Sequence, residues 1–470
     1  MVSSVVTRER QTLIGGWGRA TRSQATMVRP DADDDWAAIF RTAGPRGVIP
    51  RGGGRSYGDA AQNAGGLVVS TAADATIGAL DPAAATIEVG AGVTIGDLAR
   101  HLAPGGWTLP VVPGSAGVTV GGAIAADVHG KNHVRHGTFG NQVATMTVLT
   151  PARGTIEMSP MVNADEFWAT VGGLGLTGII RRATLRLIPL TSWWVSSVDE
   201  EQPGLHRVLD RLHAASASSE HAVAWVDRYG AGVITRARTA RLGALTPTRA
   251  ARTRATPTLP GRGIAWPPLT AAANAARRSA VALRPRHLRP LSDLHFPLDS
   301  LPGWPRLHGR RGLIQHQFTV PFGAEHVLAE ALRATREAGH SPSLAVLKVF
   351  GAASAAPLSF PGPGWSLAMD FAAEPALGPV LDRLDERIAT AGGRVYLVKD
   401  SRAHPDLVAA MYPGLARWRA VRSMLDPDQL LVSDLARRLR LTDQRLADLS
   451  AADLSGADPS GADRIGASHA

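Results

Sequence analysis

RGGGRSYGD, Arg51 to Asp59, sets three successive glycines between two arginines, directly after a short apolar strand at Gly47 to Ile49. Glycines let a backbone pass close to a bulky anion with its amides turned inward, so the loop reads as a phosphate cradle. Alone, the pattern is shared with ordinary tight turns. Two wider glycine clusters follow: PGSAGVTVGGAIAADVHGKNH, Pro113 to His133, and VGGLGLTGII, Val171 to Ile180. A single cofactor gripped by three backbone loops accounts for all of them. Small residues at Gly121, Gly122, Ala123, Ala125 and Ala126 would let a flat ring or a ribityl chain lie against the backbone, and His129, Lys131, Asn132 and His133 supply polar groups. No βαβ unit follows a GxGxxG here, and no acid stands about twenty residues beyond a strand–helix junction, so a Rossmann site is disfavoured.

The chain has 470 residues, 44% of them hydrophobic, enough for a substantial core and two domains. It contains no cysteine, which excludes disulfides, thiolate nucleophiles and cysteine-held metal clusters; redox chemistry must come from an organic cofactor, and no metal site is expected. The formal charge of +10 is local: Arg236 to Pro290 holds twelve arginines and no acid. That segment reads first as a solvated loop and second as a surface for anionic lipid headgroups or a phosphate-bearing substrate. With one aromatic, Trp266, and no recognition helix, it does not read as a nucleic-acid surface. No stretch approaches the roughly 18 apolar residues of a membrane span, and the first residues lack a signal-peptide pattern.

The expected class is α+β. Short strands and glycine turns fill residues 1–190, with an acidic helix start at Pro30 to Asp35 and an amphipathic helix at Ile95 to Leu102. Longer strands and helices in 191–393, including helices at Ala324 to Ala338 and Leu377 to Ala391, predict an antiparallel sheet covered on one side. Residues 394–441 finish with helical spacing, and 442–470, rich in Ala, Asp, Ser and Gly, read as disordered.

RGGGRSYGD, PVVPGSAGVTVGGAIAADVHGKNHVRHGTFGN, FWATVGGLGLTGIIRRAT, IQHQF, LKVFG, APLSFPGPGW, VKDSR and SDLARRL together resemble the decaprenylphosphoryl-β-D-ribose 2-oxidases of actinobacteria, flavoenzymes of the vanillyl-alcohol-oxidase type; the similarity covers about Gly15 to Leu441. The resemblance implies a two-domain fold in which residues 1–190 and 394–441 form the FAD domain and the sheet-plus-helices substrate domain is inserted between them. It places FAD contacts on the first loop, at Pro50, Arg51, Gly52, Gly53, Gly54, Arg55, Ser56, Tyr57, Gly58, Asp59 and Ala60. It adds Gly114, Thr119, Val120, Gly121, Gly122, Ala126, Asp127, Val128, His129, Ile179 and Tyr396. Relatives that tether flavin through the first loop carry histidine where this chain has Arg55, so FAD is expected to be non-covalent.

The substrate side would be lined by Tyr57, His129, Lys131, Trp225, Gln315, Gln317, Lys348, Phe350, Ser366, Ala368 and Lys399. Lys399 would place a cation near the flavin pyrimidine or orient the sugar, Lys348 with Gln317 would hold ribose hydroxyls or phosphate, and His129 is an alternative proton acceptor. Ala368 stands where the family often has the cysteine captured by nitroaromatic inhibitors, Ser366 where asparagine is usual, and His295 where tyrosine is. The implied reaction oxidises the ribose 2-hydroxyl of a polyprenylphosphoryl-ribose to the keto sugar. An NAD(P)H-dependent reductase would complete epimerisation to the arabinose donor for cell-wall arabinan. The implied location is peripheral, on the cytoplasmic or periplasmic face of the membrane. The alternatives are an FAD-dependent oxidase of a soluble sugar, alditol or aldonolactone, and a non-catalytic flavin-fold binding protein.

Overall fold

The computed structural model describes residues 9–31, 34–240, 256–301 and 303–442. The N-terminal part is built on two larger sheets, with Trp107–Thr108 and Ile188–Pro189 forming a small third. Strands Glu9–Gly15, Arg22–Val28, Leu67–Ser70 and Val48–Arg51 form the first in that order, antiparallel at the first pair and parallel thereafter. Strands Ile77–Asp81, Thr86–Gly90, Ile179–Arg186, Val143–Thr150 and Gly154–Met158 form the second, antiparallel throughout. The helix Ile95–Leu102 forms where its apolar spacing predicts, buries Ile95, Leu98 and Leu102, and is capped by the Thr94 side chain accepting from the Asp97 amide.

An eight-stranded antiparallel sheet carries the rest: Arg286–Pro290, Trp194–Gln202, Gly232–Thr239, His221–Val226, Leu344–Phe350, Gly364–Ala372, Leu313–Val320 and Arg394–Val395, in spatial order. Side chains alternate across a strand, so each of these strands serves two masters. Ala222, Ala224, Leu347, Phe318, Leu367 and Met369 are buried in the main core with Val208, Leu212, Val327 and Leu328 of the helices Leu205–Ser218 and Glu325–Glu337. Trp225, Lys348, Gln315, Gln317, Ser366 and Ala368, one residue out of phase, face a cavity.

The chain then returns to the N-terminal part. Helix Leu415–Leu425 packs on Ala164–Thr170, the Trp418 indole donates to the Ala169 carbonyl at 2.9 Å, and the Val48 amide donates to the Leu430 carbonyl at 2.7 Å. Arg438, in the helix Asp434–Arg438, bridges the Asp59 and Asp400 carboxylates, each at 2.8 Å. Burial alone would raise the Asp400 carboxyl; Arg438 and the Ala403 and Arg402 amides outweigh it and hold Asp400 below the usual carboxylate range.

Several expectations need correction. The basic segment is not a solvated loop throughout: Gly232–Thr239 and Arg286–Pro290 are strands of the large sheet, and Pro267–Leu283 is a helix with Pro at its first turn. Residues 241–255 lie outside the described residues, as does the tail from 443. The acidic stretch before Trp36 does not start a helix at Pro30; the helix is Ala38–Thr42. The large sheet continues two residues beyond 393, because Arg394–Val395 pairs with Phe318 and Thr319.

Replacing Arg438 with Leu leaves two mostly buried carboxylates unpaired. It is expected to lower stability by about 2–3 kcal/mol, and thermal unfolding of the flavin-loaded protein checks this.

Candidate active site

A cavity of about 590 Å³ lies between the glycine loops and the open face of the large sheet. That is within the roughly 300–1,000 Å³ of cofactor and small-molecule sites. One wall is backbone: Gly52, Gly53, Gly54, Ser56, Gly114, Thr119, Gly121, Gly122 and Ala126 all border it. Gly54 has φ of 62°, and a Cβ at Gly52 would overlap the Thr119 hydroxyl, so the two loops can close on each other only with glycine there. The Thr119 side chain caps helix Val120–Ala125 by accepting from the Gly122 amide. These loops fit a long dinucleotide: a glycine-lined cradle for the pyrophosphate and small side chains beneath a ring.

The opposite wall is polar and cationic. Register explains its composition: on neighbouring strands Lys348 pairs with Ser366 and Gln317 with Ala368, so alternate residues of three strands converge. Gln317 Nε2 lies 3.3 Å from both the Ser366 hydroxyl and His129 Nε2. Gln315 donates to Asp370 at 2.5 Å, and the Trp304 indole donates to its other oxygen at 2.8 Å. The Lys399 ammonium stands 3.6 Å from the Tyr57 ring centroid, a cation–π contact.

The electrostatics are unusual. The sequence has three lysines among its fifty Lys and Arg residues, and Lys131, Lys348 and Lys399 all line this cavity. Burial, with Lys348 and Arg289 nearby, pushes Lys131 down to about 7. Burial pushes Lys348 to about 8. Burial also takes Lys399 to about 7, with Asp370 partly opposing it and Lys348 adding to it. His129, buried and near all three, is held far below the ordinary histidine value. Its ring lies 4.7 Å from Phe350 and 5.4 Å from Tyr396, and its Nδ1 is buried without a hydrogen bond.

The cavity gathers Pro50, Arg55, Tyr57, Ala60, Val128, His129, Lys131, Trp225, Gln315, Gln317, Lys348, Ser366, Ala368, Tyr396 and Lys399. Other expected contacts lie off it, each for a visible reason. Arg51 spends its guanidinium on the Ala61 and Gly15 carbonyls, both at 2.9 Å. Asp59 pairs with Arg438, and Gly58 packs against the Asp400 carbonyl. Asp127 turns away to accept from the Gly140 amide and the Ser359 hydroxyl. Val120 is core, Ile179 packs in a separate cluster with Trp36 and Val69, and Phe350 is fully buried behind His129. His295 offers its backbone carbonyl to the Lys131 ammonium at 3.0 Å. Sequence reasoning missed Asp370, Arg277 and Arg289. The scarcity of lysine was a readable signal for the cationic wall, whereas nothing local distinguishes Arg277 and Arg289 from the other ten arginines of their segment.

Residues 25–159 match the FAD binding domain family. The chain is 36% identical over 91% of its length, and 97% of the relative's, to decaprenylphosphoryl-beta-D-ribose oxidase of Mycolicibacterium smegmatis. It is 31% identical to L-galactono-1,4-lactone dehydrogenase 1 of Oryza sativa over 33% of this chain and 27% of that one, and 31% identical to L-gulonolactone oxidase of Mus musculus over 29% and 30%. The chain belongs to the FAD-linked oxidase family. Its N-terminal FAD-binding domain and large antiparallel sheet give it the vanillyl-alcohol-oxidase-type fold. Among the described residues no helix is long and apolar enough to cross a membrane.

Ala368 is half-buried on the cavity wall. Ala368→Cys would create the sole thiol of the chain. That thiol is expected to be labelled by a nitrobenzothiazinone under turnover, and the natural protein is expected to form no stable adduct; intact-protein mass spectrometry reads the difference.

Proposed function

We propose that this FAD-linked oxidase oxidises the ribose 2-hydroxyl of a polyprenylphosphoryl-β-D-ribose, such as the decaprenyl compound, to the 2-keto sugar. A separate NAD(P)H-dependent reductase would complete epimerisation to the arabinose donor for cell-wall arabinan. The observation that carries this reading is the convergence of all three lysines, with Gln315 and Gln317, on the wall facing the glycine loops. The relative of 36% identity bears the name of that oxidase.

FAD, bound non-covalently beside Arg55, supplies the hydride acceptor. Burial draws Lys399 down to about 7 and Asp370 partly opposes it; in its charged form the ammonium would offset negative charge developing on the cofactor side. Lys348 and Gln317 hold the sugar hydroxyls. Lys131 has only cations as its charged influences, which favours the neutral amine and suits it to take the hydroxyl proton near neutral pH. His129 is a weaker candidate, because burial and the lysines lower its affinity for a proton. Its ring serves to buttress Gln317.

Peripheral contact with a membrane surface fits the same region: Trp266, Leu269, Leu283 and Leu288 are exposed along the helix, its N-cap and the strand that together hold four of the segment's twelve arginines, Leu283 at 82%. Which face of the membrane is involved does not enter the reaction.

Anaerobic mixing with a short-chain polyprenylphosphoryl-β-D-ribose is expected to bleach the oxidised-flavin absorbance, while free ribose and the arabinose epimer do not. Bleaching by a free sugar, alditol or aldonolactone in its place would contradict the reading. Reduction should slow above about 7 as Lys399 loses its charge, and its second-order rate constant should also carry a rising limb through about 7, because protonated Lys131 cannot accept a proton. Lys131→Met should remove that limb and slow reduction by roughly 10²–10⁴-fold.

A further inference from the structure

The cationic wall does not end at the lysines. Of the arginines in the basic segment, Arg277 and Arg289 line the cavity. Arg289 sits on the edge strand Arg286–Pro290, where its Nε donates to the Ser197 hydroxyl at 2.9 Å and its Nη2 is buried with no hydrogen bond. Arg277 sits on the helix Pro267–Leu283 with its guanidinium 5.1 Å from the Trp225 ring centroid. Among the described residues, neither has a carboxylate oxygen within 4.0 Å. The neighbouring Arg278 shows the ordinary outcome: it pairs with Asp227 at 2.9 Å and with Glu201 at 3.4 Å.

A guanidinium carries five N–H donors, and one left this far from satisfied beside a cavity is matched by an anion with several acceptor oxygens. Asp199 and Asp293 do act on these arginines at longer range. Asp199 is already bound by the Thr235 hydroxyl at 2.6 Å. Lys348 and Arg289 both act on Lys131, and Arg289 acts on Arg277, so the positive groups run on from the lysine wall towards the basic helix. Beside the arginines the cavity is bordered by Asp293, Leu294, Pro297, Leu298, Asp299 and Leu301; with the Asp299 carboxylate taken up by the Ala116 amide at 2.6 Å, the leucines and proline leave a largely apolar edge of the kind an isoprenoid chain would follow.

We propose that Arg277 and Arg289 form an anion subsite that grips the phosphodiester of a lipid-linked sugar, with the apolar edge at Leu294 to Leu301 taking the first isoprene units. This rests on the reading of the substrate as a polyprenylphosphoryl sugar. It adds a reason for that substrate: the phosphate is attached to the carbon beside the carbinol that reacts, so gripping it fixes the carbinol against the lysines.

The test uses the flavin-loaded protein and isothermal titration calorimetry with geranyl phosphate and inorganic phosphate as probes. Arg277→Gln and Arg289→Gln should each weaken geranyl phosphate by about tenfold or more. Arg284→Gln, an exposed arginine just past the same helix and outside the cavity, should not. Inorganic phosphate should bind much more weakly than geranyl phosphate to the natural protein. Unchanged geranyl phosphate affinity in Arg277→Gln and Arg289→Gln overturns the subsite, and equal affinity for the two probes overturns its lipid edge. If Arg289→Gln fails to retain flavin, Arg277→Gln and Arg289→Lys decide the matter. Arginine-dependent binding of geranyl phosphate without flavin reduction by the phosphoryl sugar would keep the subsite and defeat the substrate reading instead.

Discussion

Burying three ammonium groups on one wall, with Asp370 acting on Lys399 as the carboxylate among their charged influences, is the constraint on which this structure turns. A lysine surrounded by protein loses hydration that neighbouring dipoles only partly replace, and the loss shows as a lowered pKa at Lys131, Lys348 and Lys399. A fold keeps such groups at a cost in stability, and here the cost is confined to a single wall. The large sheet makes that possible. Its other face is closed by helices and contributes to the main hydrophobic core, so the open face can be polar without leaving the strands unsupported.

The same constraint explains why the C-terminal segment returns to the glycine loops. Lys399 follows the last short strand of the large sheet, and Tyr57 beneath it belongs to the first glycine loop. Their alignment needs the two parts of the chain to be held together. Arg438 does this by joining Asp59, two residues from Tyr57, to Asp400, next to Lys399. Tyr396 adds a second tie, its hydroxyl donating to the Ala126 carbonyl at 2.9 Å. Neither contact touches the cavity's centre, yet both set how the cation sits over the ring.

Much of the fold was legible because it rests on local rules. The glycine loops and the amphipathic helix at Ile95 to Leu102 follow from backbone freedom and apolar period. The site was legible through resemblance and less through the residues alone: Gln315, Gln317, Lys348 and Lys399 are far apart in sequence, and only strand register brings them together. What stayed hidden depends on tertiary packing. Asp127 and Asp59 sit in glycine-rich motifs but stay buried and turn away from the cavity to brace neighbouring segments. The basic segment looked like solvated chain because its helix is apolar mainly through alanine, and two of its arginines differ from the rest only in where the helix and edge strand carry them.

The most direct measurement of this electrostatic account is a pH titration of the flavin-loaded protein with ¹³Cε-labelled lysine, followed by NMR, with Lys→Arg variants assigning the three side chains. The account predicts that Lys131 titrates near about 7 and Lys348 near about 8. Titration of both near the ordinary lysine value of 10.5 would show that the wall is solvated like any surface and would remove the basis for reading it as an anion-directed active site.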